Sequence, residues 1–216
     1  MNKYFSLAEI QSWSRFTRAN FINTLTGFKS LSLIGTVNKA GESNVAVFSN
    51  IVHLGADPAL IGFVNRPLAA APHTLANIKS NGFYTVNHIH PSFVEKAHQT
   101  SAKYPDEVNE FTEVGLTEEY LDGINVPFVK ESTIKYLLSL KEIIPIALNA
   151  TYLVIGQLEK VLIDPSLKPT SDGFLHLDQA GSISSNGLDA YYKTELIDRY
   201  DYAKPGIPVQ KMATKK

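Results

Sequence analysis

Apolar positions along this chain fall mostly into short runs that suit β-strands, and helical spacing occurs in only a few places. Between Ser14 and Gly27, Phe16, Phe21, Ile22 and Leu25 fit a short helix with Ser14 as N-cap, expected to lid the strands that follow. Phe28 to Val37 is rich in β-branched and aromatic residues. The turn-forming Asn38 to Ser43 joins it to a second strand, Asn44 to Asn50, as a hairpin. After a turn at Ala56–Asp57–Pro58, Ala59 to Asn65 reads as a third strand, stopped at Arg66–Pro67, where proline removes a ladder donor.

Pro72 to Asn81 predicts a helix whose first turn holds Thr74 and which ends at Asn81–Gly82, before Phe83 to Ile89 returns to strand. Ser92 and Glu95 have the spacing of a capping box for a helix through about Ala102, and Lys103 to Gly123 is polar enough to predict a surface excursion. Ser132 to Leu140 places Ile134, Tyr136, Leu138 and Leu140 on one strand face, and Ala150 to Ile163 is a further strand broken at Gly156. Six or more strands with few helices between them predict a mainly β barrel or sandwich, not a doubly wound parallel sheet. The chain of 216 residues suits a single domain, with 204–216 expected to be a flexible tail rich in Pro, Gly and Lys.

Charge narrows the function. The formal net charge of −1 gives no broad basic surface for nucleic acid or for an anionic membrane, and no apolar run is long enough to predict a membrane helix. The expected compartment is the cytoplasm. Without cysteine, disulfides, thiolate metal sites and a thiol nucleophile are excluded, so redox chemistry would need a bound cofactor.

No G-x-G occurs among the glycines, which removes the dinucleotide fingerprint and the P-loop. A phosphate-bearing ligand would need another cradle. Arg66 at a strand exit and Thr74 in the first turn of a helix could combine a guanidinium, a hydroxyl and helix N–H groups around a phosphate, though both residues also serve as ordinary strand-end and capping residues. Phe48–Ser49–Asn50 and Asn87–His88 end two strands with polar groups that would converge if the strands are neighbours. His88 and His90 share metal-like spacing, but no H-E-x-x-H accompanies them and Pro91 leads His90 out of the sheet, so no metal is expected. No G-x-S-x-G points to a hydrolase.

Taken together, LIGTVNKAGESNVAVFSNIVHLGADPALIGFVNRP, HTLANIKSNGFYTVN, AHQTSAKYPDEVNEF, PFVKES, YLVIGQLEKV and NGLDAYYKT resemble, in order, the flavin reductase-like FMN-binding split-barrel family. The resemblance runs over roughly Arg18 to Tyr202. It implies a six-stranded Greek-key split barrel with a few flanking helices, a homodimer, and one FMN held at the subunit boundary. Phe48, Ser49 and Asn50 would border the ring and ribityl chain, and Phe63 to Arg66, including Asn65, would follow the flavin edge. Arg66 and Thr74 would hold the phosphate with Asn77 supporting their helix. Asn87 and His88 would approach the ring or phosphate, and His98 and Ser101 would complete the pocket.

The implied activity is an NAD(P)H-dependent flavin reductase, with NADH or NADPH as donor, a small-molecule or protein electron acceptor, and hydride passing to flavin N5. The resemblance names no catalytic side chain. One departure stands out: SNIVHLGADPA replaces the family's S-x-x-S-x-x-P-P on the nicotinamide side. Two other readings compete with the reductase: an FMN electron carrier without its own nicotinamide site, and a non-redox barrel, either binding a small ligand or serving as a structural dimer module clasped by 197–208.

Overall fold

In the computed structural model, which describes residues 2–105 and 108–212, every strand pairing among the described residues is antiparallel. Two short helices, α1 (Leu7–Ser12) and α2 (Arg15–Leu25), precede β1 (Lys29–Ser30), β2 (Ser32–Val37), β3 (Ser43–Phe48), β4 (Ile51–Ala56) and β5 (Ala59–Asn65). Then come α3 (His73–Asn81), β6 (Phe83–His88), α4 (Val94–Gln99), α5 (Glu110–Val114), β7 (Glu118–Glu119) and β8 (Phe128–Val129). The long strands β9 (Ile134–Ile146) and β10 (Thr151–Ile163) are followed by β11 (Ile183–Asn186) and β12 (Ala190–Lys193).

The main sheet has seven strands in the order β3-β2-β6-β9-β10-β5-β4. Its two outermost strands, β3 and β4, are joined in sequence by only Ser49 and Asn50, so the sheet must curl until its edges meet. The result is a mainly β split barrel, with one strand more than the six expected. The additional strand is β4, whose pairing with β5 is irregular between His53 and Gly55 and whose side chains are mostly exposed, so it carries no alternating signal. A separate sheet, β1-β11-β12, lies beside the barrel.

Two buried clusters lie on opposite faces of the first hairpin. Ile34 and Phe48 join Phe63, Tyr84, Val86, Leu138 and Val154 in one, sealed by Leu75 and Ile78 of α3. Leu33 and Val45 point the other way, against Phe93 and Ala97 beside and on α4 and Phe111 and Val114 on α5. Burial on both faces explains why these strands read as continuous apolar runs. The first cluster interlocks through edge-to-face rings, Phe48 to Phe63 at 4.9 Å and Phe63 to Tyr84 at 5.6 Å. Gly156 leaves the space that Tyr84 fills: a Cβ there would lie 2.3 Å from the tyrosine oxygen, and the β9–β10 register shifts at this glycine.

Three sequence expectations change. First, α2 forms with Ser14 accepting from the Thr17 N–H at 3.2 Å, but it buries no residue and Phe16 and Leu25 stay exposed, so it does not lid the barrel. Second, the Ser92–Glu95 capping box is absent. His90 Nδ1 instead accepts from the Ser92 N–H at 3.2 Å, and a 3-10 turn, Pro91–Phe93, leads into an α4 that ends at Gln99. Third, the polar stretch 103–123 is no surface excursion, because α5 inserts Phe111 and Val114, spaced one helical turn apart among acidic neighbours, into the second cluster. Within the expected tail, Met212 donates to the Arg199 carbonyl at 2.9 Å and Asp201 to that of Gln210 at 3.0 Å, while 213–216 lie outside the described residues.

Candidate functional site

The barrel seam, the first turn of α3, the segment after α4 and the β11–β12 sheet enclose a cleft of about 460 Å³. That volume lies within the range of about 300–1,000 Å³ typical of small-molecule sites. Phe48, Ser49 and Asn50 reach it because the sheet folds back on itself at this two-residue link. Arg66 reaches it from the end of β5, Thr74 from the start of α3, and Ser101 from the residues after α4. These six candidates, drawn from distant parts of the sequence, converge on one surface.

α3 starts at Pro72 without a side-chain cap, so the Thr74 and Leu75 N–H groups have no acceptor within the helix. Arg66 carries no ion pair or side-chain hydrogen bond among the described residues, and the hydroxyls of Ser49, Thr74 and Ser101 donate to none. Ser185 Oγ lines the same cleft, is buried, and has no partner either. An unpaired guanidinium beside an uncapped helix N-terminus is an arrangement ready for an anion. With Lys29 and Lys103 also on the walls, the lining is predominantly cationic.

The remaining candidates have other settings. Asn50 lines the cleft, but its amide binds both backbone groups of Val64, donating to the carbonyl at 2.8 Å and accepting from the N–H at 3.1 Å. Asn65 lies behind the cleft wall and ties the loop after β5, donating to the carbonyls of Arg66 at 2.8 Å and Ala71 at 3.2 Å. Asn77 fastens α3 to β2 through Thr36 Oγ1 at 3.1 Å, and Phe63 is buried in the core.

Asn87 and His88 are not brought to the cleft. The Asn87 amide is occupied on both ends, donating to the Leu33 carbonyl and Thr85 and accepting from the Val129 N–H at 2.9 Å. His88 Nδ1 pairs with Ser182 Oγ at 2.9 Å, and desolvation by burial pulls its pKa down from 6.5 to about 4. His98 stands one residue removed: its Nδ1 pairs with the hydroxyl of Tyr191, which lines the cleft.

Sequence reasoning missed Asn44, His73, Glu110 and Tyr191, all on the cleft wall. Glu110 is the only carboxylate among the described lining residues and accepts from Asn44 Nδ2 at 2.6 Å. No local motif announces this pair, because its members lie 66 residues apart.

Fold and site together define a split-barrel protein with a cleft at the barrel seam whose charged lining is mainly basic. Residues 28–180 match the family model described as a flavin reductase like domain, and the chain belongs to that family. It is 42% identical to a split-barrel protein of Shewanella frigidimarina assigned as a flavin reductase, covering 94% of this chain and 100% of that one, with a TM-score of 0.90. It also shares its fold with component B of nitrilotriacetate monooxygenase from Bacillus cereus, at 22% identity, 91% and 98% coverage and a TM-score of 0.79. An uncharacterised Aquifex aeolicus protein is 28% identical over 120 residues, 55% of this chain and 61% of its own length.

The chemistry of the lining residues is compatible with a flavin, the group that the family's description implies. Arg66, Thr74 and the α3 N-terminus suit a phosphate, while Ser49, Ser101 and the orphaned Ser185 suit ribityl hydroxyls or the polar ring edge, and Phe48 and Tyr191 offer apolar faces.

Proposed function

We propose that this protein is an FMN-binding flavin reductase that draws reducing equivalents from NADH or NADPH and passes them to a separate acceptor. The observation that carries the reading is Arg66, unpaired beside Thr74 and the uncapped start of α3, in a family defined by flavin reductase-like domains. When bound, FMN would supply the hydride and electron-transfer chemistry. Arg66, Thr74 and the α3 amides hold the phosphate and so fix the position of the ring. Phe48 and the Ser49–Asn50 link border the ring, and N–H groups of the barrel seam offset the negative charge that reduction places on it. The chain itself contributes position and electrostatics. The test is a fluorescence titration of FMN against Arg66→Ala/Thr74→Ala: affinity falls at least about a hundredfold if these residues hold the phosphate. Unchanged affinity refutes the assignment.

The active form is a homodimer. Supporting this, Phe16, Ile22, Leu25 and Phe28 are exposed close to one another in sequence, and Phe28 stacks edge-to-face at 4.8 Å on the half-exposed Tyr192, next to cleft-lining Tyr191. On a monomer these apolar side chains would face water.

A further inference from the structure

Glu110 stands between two cavities. On one side is the cleft with its cationic lining; on the other is a second, polar cavity of about 430 Å³, and Glu110, Asn44 and His73 line both. Glu110 is a buried residue, 8% exposed. The neutral Asn44 amide donates to it, and no lysine or arginine among the described residues pairs with it. A carboxylate in that setting is a poor neighbour for an anion.

We propose that Glu110 is a specificity-determining residue of the cleft: an anionic ligand binds together with a proton on this carboxyl, which reaches solvent through the second cavity. The inference rests on the reading of the cleft as an anion site. A second negative charge entering the cleft repels the Glu110 carboxylate through a poorly screened interior, and protonating the carboxyl removes that repulsion without altering the wall. The uptake is a simple balance, with carboxylate plus one solvent proton giving the carboxylic acid.

The surroundings set the proton's place. Burial raises the Glu110 pKa above the ordinary carboxylate range, with the hydrogen bonds it accepts and the nearby His73 opposing without cancelling the effect. From the second cavity, Glu42 and Glu118 face it and favour the neutral acid, and the Tyr120 hydroxyl donates to Glu118 at 2.7 Å. Arg66, Lys103 and Lys29 line the same cleft, and His73 is the charge that favours the carboxylate; an anion bound in the cleft opposes it. Ligand binding therefore moves Glu110 towards its protonated form.

The experiment is calorimetric titration of the intact protein with FMN in buffers of differing ionisation heat, which counts protons taken up, repeated from mildly acidic to mildly alkaline pH. The FMN phosphate brings its own proton, with a second pKa of about 6, and this contribution is common to every variant. Wild type is expected to take up additional protons relative to Glu110→Gln, and to lose about tenfold more affinity than the variant as pH rises through the Glu110 titration, the variant keeping only the dependence that the phosphate contributes.

Equal uptake in the two proteins overturns the proposal. So does loss of the excess uptake in His73→Gln, which would place the proton on the imidazole. Asn44→Leu supplies a second variant should Glu110→Gln fail to fold: removing the donor to the carboxylate is expected to keep the uptake and shift it to higher pH, and loss of uptake contradicts the proposal. If FMN binds none of these proteins, the flavin reading fails by itself. Inorganic phosphate followed by phosphorus NMR then decides the Glu110 linkage alone, with a pH-dependent wild-type affinity and a flatter Glu110→Gln supporting it and identical profiles overturning it.

Discussion

Arg66 and Glu110 show opposite relations between a residue and its sequence context. Arg66 sits where a strand must stop at Pro67, and Thr74 where a helix must start after Pro72, so both positions were legible from local rules. Glu110 depends on Asn44 from another part of the chain, and nothing in either neighbourhood announces the contact. Conversely, Asn87 and His88 look like a polar strand end suited to a ligand, but their side chains are occupied by Val129, Leu33 and Ser182. A strand-end polar residue satisfies the barrel's own backbone as readily as a ligand.

Two predictions belong to this scale. Arg66→Lys, which keeps the charge but loses the planar fork, is expected to bind FMN about tenfold more weakly than wild type and more tightly than Arg66→Ala, as measured by flavin fluorescence. Equal affinity of the two variants would mean that the guanidinium makes no bidentate contact. The second concerns His88. Its folded pKa of about 4 lies below the 6.5 of an unperturbed histidine, so the unfolded chain takes up the proton first. The stability it contributes is present above pH 6.5 and is lost as pH falls towards 4, on the order of 3 kcal/mol. Urea unfolding at neutral and mildly acidic pH should show a smaller acid loss in His88→Gln than in wild type, and an undiminished loss would show that His88 is not the group responsible.

Among elements, both long strands were legible, but β9 runs on past the expected Leu140 to Ile146, and β10 continues through Gly156 with a register shift where a break was expected, as a glycine inside a strand pattern marks a bulge or a close approach. The structure supplies the reason in Tyr84, whose ring occupies the space beside that glycine. Gly156→Ala is expected to cost about 2 kcal/mol in chemical denaturation through overpacking. Tyr84→Phe in the same chain should restore part of it, since the oxygen is the nearest atom at 2.3 Å and the ring carbon behind it is at 3.0 Å. No difference between the single and double variants would rule out this clash. The elements that escaped the sequence were those whose signal is divided: β4 lies at the seam with little alternation, and α5 buries only one short face. Local pattern records burial on one face well, and closure of the barrel only through the topology that β3 and β4 share.

At the scale of the whole molecule, many short β-rich runs made a barrel or sandwich legible, while the split barrel followed from the family resemblance, which the family match and the shared fold bear out. The assembly is a different matter. The exposed Phe16, Leu25 and Phe28 predict that sedimentation velocity finds a dimer, and that Phe16→Ser/Phe28→Ser shifts it to monomer with the barrel still folded. A wild-type monomer at all concentrations would contradict the dimer.

The proposed function requires that the cleft hold a flavin that a nicotinamide can reduce. The direct measurement is the visible absorbance of the protein loaded with FMN and freed of excess, followed anaerobically through addition of NADH and then NADPH. Retained flavin bands that bleach with one of the two are the predicted result. A colourless protein that retains no FMN contradicts the flavin reading, and retained bands that neither donor bleaches contradict the reductase.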